Sequence, residues 1–156
     1  MLLAYRLVRL IETHADRLAE GLLAKLQNSD KCTAFKQVPG DEFRQRVYEI
    51  YDHLGEWLLG KKEEDVARRY TDIGRRRHAQ GVPLSQLMCA IMLTREHLWS
   101  YLKHEANMEK PVEVFGELEM MELLEQFFDR AMYYAAQGYE AAQAARAEKE
   151  LAHAGR

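Results

Sequence analysis

Large apolar side chains recur at every third or fourth position along most of the chain, a spacing that places them on one face of a helix. The first such stretch covers residues 2–28. Its regularly spaced apolar residues are Leu7, Ile11, Leu18, Leu22 and Leu26. Charged residues fill most positions between them. This pattern predicts an amphipathic helix with one buried side and one solvent-facing side.

Turn-forming residues divide the rest of the chain into four further helical stretches. Asp41 follows a Pro-Gly pair and can cap the second helix by accepting a bond from a free amide. Gly81 can end the third helix in a left-handed conformation, and Pro83 can open the fourth at its first position. The predicted ranges are 41–59, 63–80, 84–105 and from about 111 to near the end.

No segment alternates apolar and polar residues as a strand does, and no internal repeat is visible. Five helices with short connections must bury their apolar faces against one another. The sequence therefore predicts an all-α five-helix bundle with a long C-terminal helix. Residues 1–140 are expected to form the helical domain. Residues 141–156 are rich in alanine and charge and are expected to project as a helical tail.

Size and charge narrow the class of protein. The chain has 156 residues, which suits one domain with a single core. The formal net charge is −3, which gives no reason to expect binding to nucleic acid or to an anionic membrane. No apolar run approaches the roughly 20 residues that span a bilayer. We expect a protein that contacts neither nucleic acid nor membrane.

The first residues and the cysteines bear on the compartment. Arg6, Arg9 and Glu12 interrupt the apolar start, so it does not resemble a signal peptide. Cys32 and Cys89 lie far apart in the sequence and lack metal-ligand spacing, as expected for free thiols in a reducing environment. These features predict a cytoplasmic protein.

Two arginines fall on apolar stripes, where a buried cation needs a carboxylate or carbonyl partner. They are Arg77 on the third helix and Arg95 on the fourth. The carboxylates considered as partners are Glu12, Glu96, Glu122 and Glu125. An internal ion pair that fixes helix register is the favoured interpretation. The alternative is an anchor for an anionic ligand inside the bundle.

The histidines suggest a second kind of site. His97 and His104 lie one heptad apart on the fourth helix, beside Tyr101, while His14 lies on the apolar stripe of the first helix. Tyr101 and His97 join Arg77 and Arg95 as candidate ligand-binding residues. A haem would need an axial histidine that faces an apolar pocket, for which His14 and His97 are the candidates. Lone helical histidines are more often structural, so no metal and no cofactor is expected.

No complete catalytic constellation is present. Residues 55–62 nearly spell a phosphate-binding loop, but Lys62 stands where serine or threonine should hold magnesium, and no strand precedes it. The arginines of residues 68–77 share their helix with several acids, which indicates a solvated face. The protein is therefore expected not to be an enzyme. An enzyme that used Arg77 with a carboxylate would need a deep polar cavity beside it.

The most distinctive string runs from Gly74 through Arg75-Arg76-Arg77 to Gln80-Gly81-Val82-Pro83-Leu84. It resembles the N-terminal domains of RsbR- and RsbRD-type stressosome proteins, the RsbT co-antagonists. Residues 11–20 and the Leu98-Trp99 pair are also similar to that family. The resemblance extends to about Tyr139.

The resemblance implies a bacterial sensory domain with a non-haem, globin-like helical fold. Such domains dimerise and precede an output domain, such as a STAS domain or a histidine kinase, in stress or two-component-type signalling. We expect a homodimer with its seam on the first and last helices, which are the longest. A signal would repack the helices and move the projecting tail. The alternative is a haem- or small-ligand-binding protein of globin type.

Overall fold

The computed structural model of the chain describes residues 2–60, 62–105 and 111–156, with side chains for 6–60, 62–104 and 118–156. Every regular element in these ranges is helical, which confirms the all-α prediction. The α-helices are α1 (Leu2–Thr13), α2 (Ala15–Gln27), α3 (Gly40–Asp52), α4 (Glu63–Ala79), α5 (Leu84–Glu105) and α6 (Pro111–Ala154). A 3₁₀ turn (Thr33–Gln37) precedes α3, and a π turn (Glu56–Gly60) precedes α4.

The predicted first helix is divided at His14 into α1 and α2. The His14 amide donates a bifurcated hydrogen bond to Leu10 O and Ile11 O, at 3.3 and 3.2 Å. The regular i to i−4 bonding pattern is therefore disturbed at this residue. The His14 Nδ1 atom also lies 2.9 Å from Leu10 O. A carbonyl can only accept, so this nitrogen carries the proton. The five predicted stretches therefore become six α-helices in the described ranges.

The connection between α4 and α5 has the predicted form. Gly81 adopts a positive φ of 76°, a conformation that costs glycine nothing. Its amide donates to His78 O, and the Val82 amide donates to Arg77 O, each at 3.0 Å. These bonds satisfy the last carbonyls of α4 in the pattern of a Schellman motif. The Tyr139 hydroxyl on α6 also donates to Val82 O at 2.7 Å, which fastens this turn to the core.

Helix α6 packs most extensively against α4, and the two backbones approach very closely. A Cβ atom built on Gly74 would lie closer than 3.0 Å to Ala135 O of α6. One built on Gly138 would lie closer than 3.0 Å to the backbone of Thr71 of α4. Real Cβ atoms essentially never show such distances. Both glycines are therefore needed for this helix crossing.

The buried face of α6 begins in a different register from the apolar pattern. The sequence pattern predicts a buried stripe that includes Leu118, Met121, Leu124 and Phe128, yet Leu118 and Met121 are 55% and 39% exposed. Leu124 and Phe128 are buried as predicted, and Met120 and Phe127 are buried beside them. Both apolar sets have helical spacing, so only the packing against other helices decides between them. Part of α6 thus presents apolar side chains to solvent.

The C-terminal part of α6 continues beyond the core without a break. The helix has 44 residues, and all side chains from 143 to 156 are exposed. A division between a domain of residues 1–140 and a projecting tail of 141–156 remains a prediction. Among the described residues, none of the helices combines the length and the apolar character that a membrane-spanning helix needs.

We predict that Gly138→Ala destabilises the fold by about 1–3 kcal/mol, because the new methyl group meets the backbone of α4 and forces the helices apart. Urea denaturation followed by circular dichroism measures the free energy of unfolding. Gly40→Ala is the matched control, since a Cβ at Gly40 has nothing within 4 Å. An equal, small effect of both substitutions would show that the crossing does not need glycine.

Candidate functional site

A groove with a volume of about 840 Å³ runs between α2 and α5. Its wall on α2 is built at helical spacing, so the contributing side chains lie on one face. They are Arg17, Leu18, Gly21 and Lys25. Leu18 is buried, whereas Arg17 and Lys25 are exposed at the rim and lie about 12 Å apart along the helix axis.

The wall on α5 has the same one-face spacing. It consists of His97, Ser100, Tyr101 and His104. His97 and Tyr101 are half-buried and form the floor, while Ser100 and His104 are exposed. Among the residues with described side chains, no aspartate or glutamate lines the groove. Its polar groups are therefore mainly hydrogen-bond donors and cations, a composition suited to an anion.

His97 is fixed against the backbone of α2. Its Nε2 atom lies 3.1 Å from Leu18 O and therefore carries the proton. A Cβ on Gly21 would come within 2.9 Å of the His97 Cε1 atom, so glycine leaves the space that this ring occupies. The other ring nitrogen, Nδ1, is buried and has no hydrogen-bond partner among the described residues. The imidazole thus joins the two walls of the groove.

The environment of His97 favours its neutral form. Burial lowers the pKa of His97 below its usual value, and the positive charge of Lys25 lowers it further. The hydrogen bond to Leu18 O opposes these effects and raises the pKa. The net direction is downward. An anion placed beside Lys25 would offset one of the two causes.

The second histidine considered as a haem ligand lies close to the same groove. The ring centroid of His14 is 5.9 Å from that of Tyr101. Its Nδ1 atom is bonded to Leu10 O, as Nε2 of His97 is to Leu18 O. A haem iron bound by Nε2 of His97 would require this ring to leave the Leu18 carbonyl. The placement of both residues is explained by bonds within the protein.

Arg77 lies elsewhere, at the end of α4, and is 3% exposed. Its Nη1 atom donates to Gln80 Oε1 at 2.7 Å and to Glu42 Oε1 of α3 at 3.3 Å. Burial lowers the pKa of Arg77, while the charge of Glu42 and its hydrogen bond raise it. An arginine stays protonated in such a setting. The geometry is that of an internal ion pair.

The partner of Arg77 is none of the four carboxylates considered from the sequence. Glu96, Glu122 and Glu125 are exposed. Glu12 accepts a hydrogen bond from the Gly55 amide at 2.8 Å, just ahead of the π turn. It thereby holds the start of residues 55–62, the segment that resembles a phosphate-binding loop. Lys61 of that string lies outside the described residues. Glu42 was missed because its helix reaches Arg77 only through the tertiary packing.

Arg95 is a more exposed residue than its place on the stripe suggested. Its side chain is 30% exposed, and its Nη1 atom lies 3.7 Å from Oδ1 of Asp129 on α6. The structure therefore separates the four candidate residues. His97 and Tyr101 share the groove, whereas Arg77 and Arg95 each pair with an acid elsewhere. Whether any of them binds a ligand remains a prediction.

Sequence reasoning missed the cations of the groove. Arg17 and Lys25 look like ordinary solvent-facing residues of an amphipathic helix. Their signal is the spacing of Arg17, Gly21 and Lys25 at every fourth position, which leaves a gap on one face. That gap becomes part of a groove only when another helix packs over it, which the sequence of α2 alone does not show.

The two thiols also come together in the structure. Burial raises the pKa of Cys32 to about 11, and a hydrogen bond with Cys89 contributes to this shift. The Cys32 Sγ atom lies 4.0 Å from Gln86 O on α5. Both cysteines are free, as expected. Within the described residues, no group of three or more histidine, cysteine or acidic side chains has the placement to hold a metal ion.

The fold and the groove together define a class: an all-α domain with an open, cation-rimmed groove between two of its helices. The family model for the RsbT co-antagonist protein rsbRD N-terminal domain matches residues 12–153. The chain therefore belongs to this family and is a regulatory domain of stress signalling. No curated protein and no solved structure matches the chain. A globin-like geometry remains a prediction.

We predict that Glu42→Gln destabilises the protein by about 1–3 kcal/mol, because the buried Arg77 guanidinium loses its charged partner. Glu49→Gln on the same helix is the matched control. Glu49 also lies 3.4 Å from an arginine, Arg69, but its side chain is 44% exposed and the expected loss is near zero. Equal losses in urea denaturation would contradict a special role for the buried pair.

We predict that Lys25→Ala raises the pKa of His97, because one of the two causes that lower it is removed. Titration of the His97 Cε1 proton by NMR measures this change, with Lys103→Ala on α5 as the control. In the wild type, the folded pKa lies below the unfolded value of 6.5, so the unfolded chain binds the proton more readily. The contribution of His97 to stability is therefore complete above pH 6.5 and falls on acidification below it. An unchanged His97 pKa in Lys25→Ala would contradict this account.

Proposed function

We propose that this chain is a non-catalytic sensory domain of bacterial stress signalling that works in the cytoplasm as a homodimer. A signal would alter how the helices pack, and α6 would pass that change to an output domain or a signalling protein. The observation that carries the proposal is the continuity of α6, a single helix of 44 residues that joins the core to an exposed tail.

The packing of α6 supports its role as the moving part. It is held to α4 by the glycine crossing, by the Tyr139 bond to Val82 O, and by the Tyr134 hydroxyl, which donates to Glu63 at 2.9 Å. A close-packed crossing shifts between discrete arrangements rather than deforming gradually. Since the helix is unbroken after the crossing, a shift there would displace the exposed tail.

The exposed apolar residues of α6 support the dimer. Leu118 and Met121 face solvent one helical turn apart, on the helix that also contacts α1. Adjacent apolar side chains of this kind are typical of protein–protein contacts. We therefore place the dimer seam on the first and last helices, with α6 contributing these two side chains.

The setting of Arg77 supports a non-catalytic role. An enzyme that used this arginine would need a polar cavity beside it for a substrate. Instead, the guanidinium is buried and bonded to Glu42 and Gln80. The family description likewise names a co-antagonist, a regulatory activity. Binding of a small ligand remains the second candidate function, because the groove between α2 and α5 has the volume of typical small-molecule sites.

The test uses the full chain with Cys32 and Cys89 replaced by serine and a spin label at position 146 on the exposed tail. Size-exclusion chromatography with light scattering should show a dimer at tens of micromolar. Electron–electron distance measurements should then give a defined distance between the two tails. Gly138→Ala, which displaces α6 from α4, should change that distance, whereas Gly40→Ala should not.

Two outcomes would contradict the proposal. A strictly monomeric protein would overturn the dimer, and identical tail distances in all variants would overturn the relay through α6. Circular dichroism establishes that each variant is folded. If Gly138→Ala does not fold, Ala135→Ser provides a milder change at the same crossing, since Ala135 is fully buried there.

A further inference from the structure

Arg17 of the groove differs from most other arginines of the chain in having no acid partner among the described residues. Arg6, Arg9 and Arg156 share this property, but none of them lines the groove. Most arginines with described side chains are paired. The arginines that lie within 4.0 Å of a carboxylate are Arg44, Arg46, Arg68, Arg69, Arg75, Arg76, Arg77, Arg95, Arg130 and Arg146. Among the described residues, neither Arg17 nor Lys25 has such a partner. The other lysines with described side chains are likewise unpaired, so Arg17 is the cation whose lack of a partner is informative.

The reason for this difference lies in the neighbouring acids. Glu20 is placed at the i+3 position from Arg17 and could pair with it. It pairs instead with Arg44 of α3 at 2.9 Å, and Asp16 lies 3.9 Å from the same guanidinium. Lys25 has no acid at the third or fourth position on either side. The packing of α3 therefore takes the acids of α2 away from the groove.

The order of contacts shows which donors share an end of the groove. His97 lies against Leu18 and Gly21, while Tyr101 lies against His14. Helices α2 and α5 are therefore antiparallel. Arg17 consequently lies opposite the turn of α5 that includes Ser100, and His104 follows one turn later. Lys25 lies at the other end, beyond His97.

We propose that this groove binds a small organic phosphate, with the phosphate held by Arg17, Ser100 and His104 and the organic part lying on the floor toward Lys25. A guanidinium, a hydroxyl and an imidazole can donate to three different phosphate oxygens. The floor of Leu18, His97 and Tyr101 offers apolar and aromatic contact to the rest of the molecule. This inference deepens the proposed function by naming a class of ligand. It rests on the proposed function only in treating that ligand as the signal.

The test follows the Cε1–H signals of the histidines by NMR as phenyl phosphate is added at millimolar concentrations. We expect the signals of His97 and His104 to shift saturably, whereas those of the exposed His53 and His153 should not move. Inorganic phosphate should bind more weakly, because it lacks the group that contacts the floor. Benzoate should also bind more weakly, because it offers fewer oxygens and less charge.

Arg17→Ala should weaken the binding of phenyl phosphate about tenfold, the usual effect of losing a charge-assisted hydrogen bond. Arg75→Ala is the matched control, since Arg75 pairs with Asp72 of its own helix and does not line the groove. Arg17 and Arg75 are both exposed, so neither substitution should unfold the domain.

Three results would overturn the proposal. They are an absence of shifts at His97 and His104, equal weakening by the Arg17 and Arg75 substitutions, and binding of benzoate as tight as that of phenyl phosphate. The last would identify a carboxylate site. These results are separate from the tail-distance test. Binding without any change in α6 would leave the groove as a phosphate site and would count against the sensory relay.

Discussion

The close approach of α4 and α6 at Gly74 and Gly138 is the constraint on which the rest of the structure depends. Without side chains at these positions, the two backbones come into direct contact, and the turn that follows α4 is brought within reach of Tyr139. Arg77 lies on the turn of α4 next to this crossing, where Glu42 and Gln80 accept its hydrogen bonds. Small residues at a helix crossing thus set the position of a buried charge and the direction of the longest helix.

The distribution of ion pairs gives the molecule two different kinds of charged surface. Arginines of α4 pair with acids of their own helix or of α3, and each exposed pair contributes little to stability. Their collective effect is to neutralise the arginines of α4 within the protein. In the groove between α2 and α5, Arg17 has no such partner among the described residues, because Arg44 of α3 engages the acids of α2. Local charge composition, rather than net charge, distinguishes this surface.

Most helices could be predicted from the sequence because their causes are local, but the break at His14 was missed and the predicted cap at Asp41 was wrong, since α3 begins at Gly40 and no side chain caps it. Gly81 and Pro83 end and begin helices by their own conformational preferences, and the stripe position of Arg77 indicated its burial. The partner Glu42 could not be predicted, since it comes from a helix packed across the bundle. Leu118 and Met120 both fit helical spacing, and only tertiary contact decides which is buried. The groove depends on the crossing of two helices and has no trace in either one alone.

The unbroken path of α6 has a consequence for how domains can be joined to it. Each residue of a helix advances the chain by about 1.5 Å and turns it by about 100°. A domain joined to the exposed end of α6 by a continuous helix would therefore have its orientation fixed by the number of residues after Tyr139. Adding or removing a single residue would turn it to another side. The number of residues in this segment therefore sets the rotation of the attached domain about the helix axis. Its composition can vary more freely than its residue count.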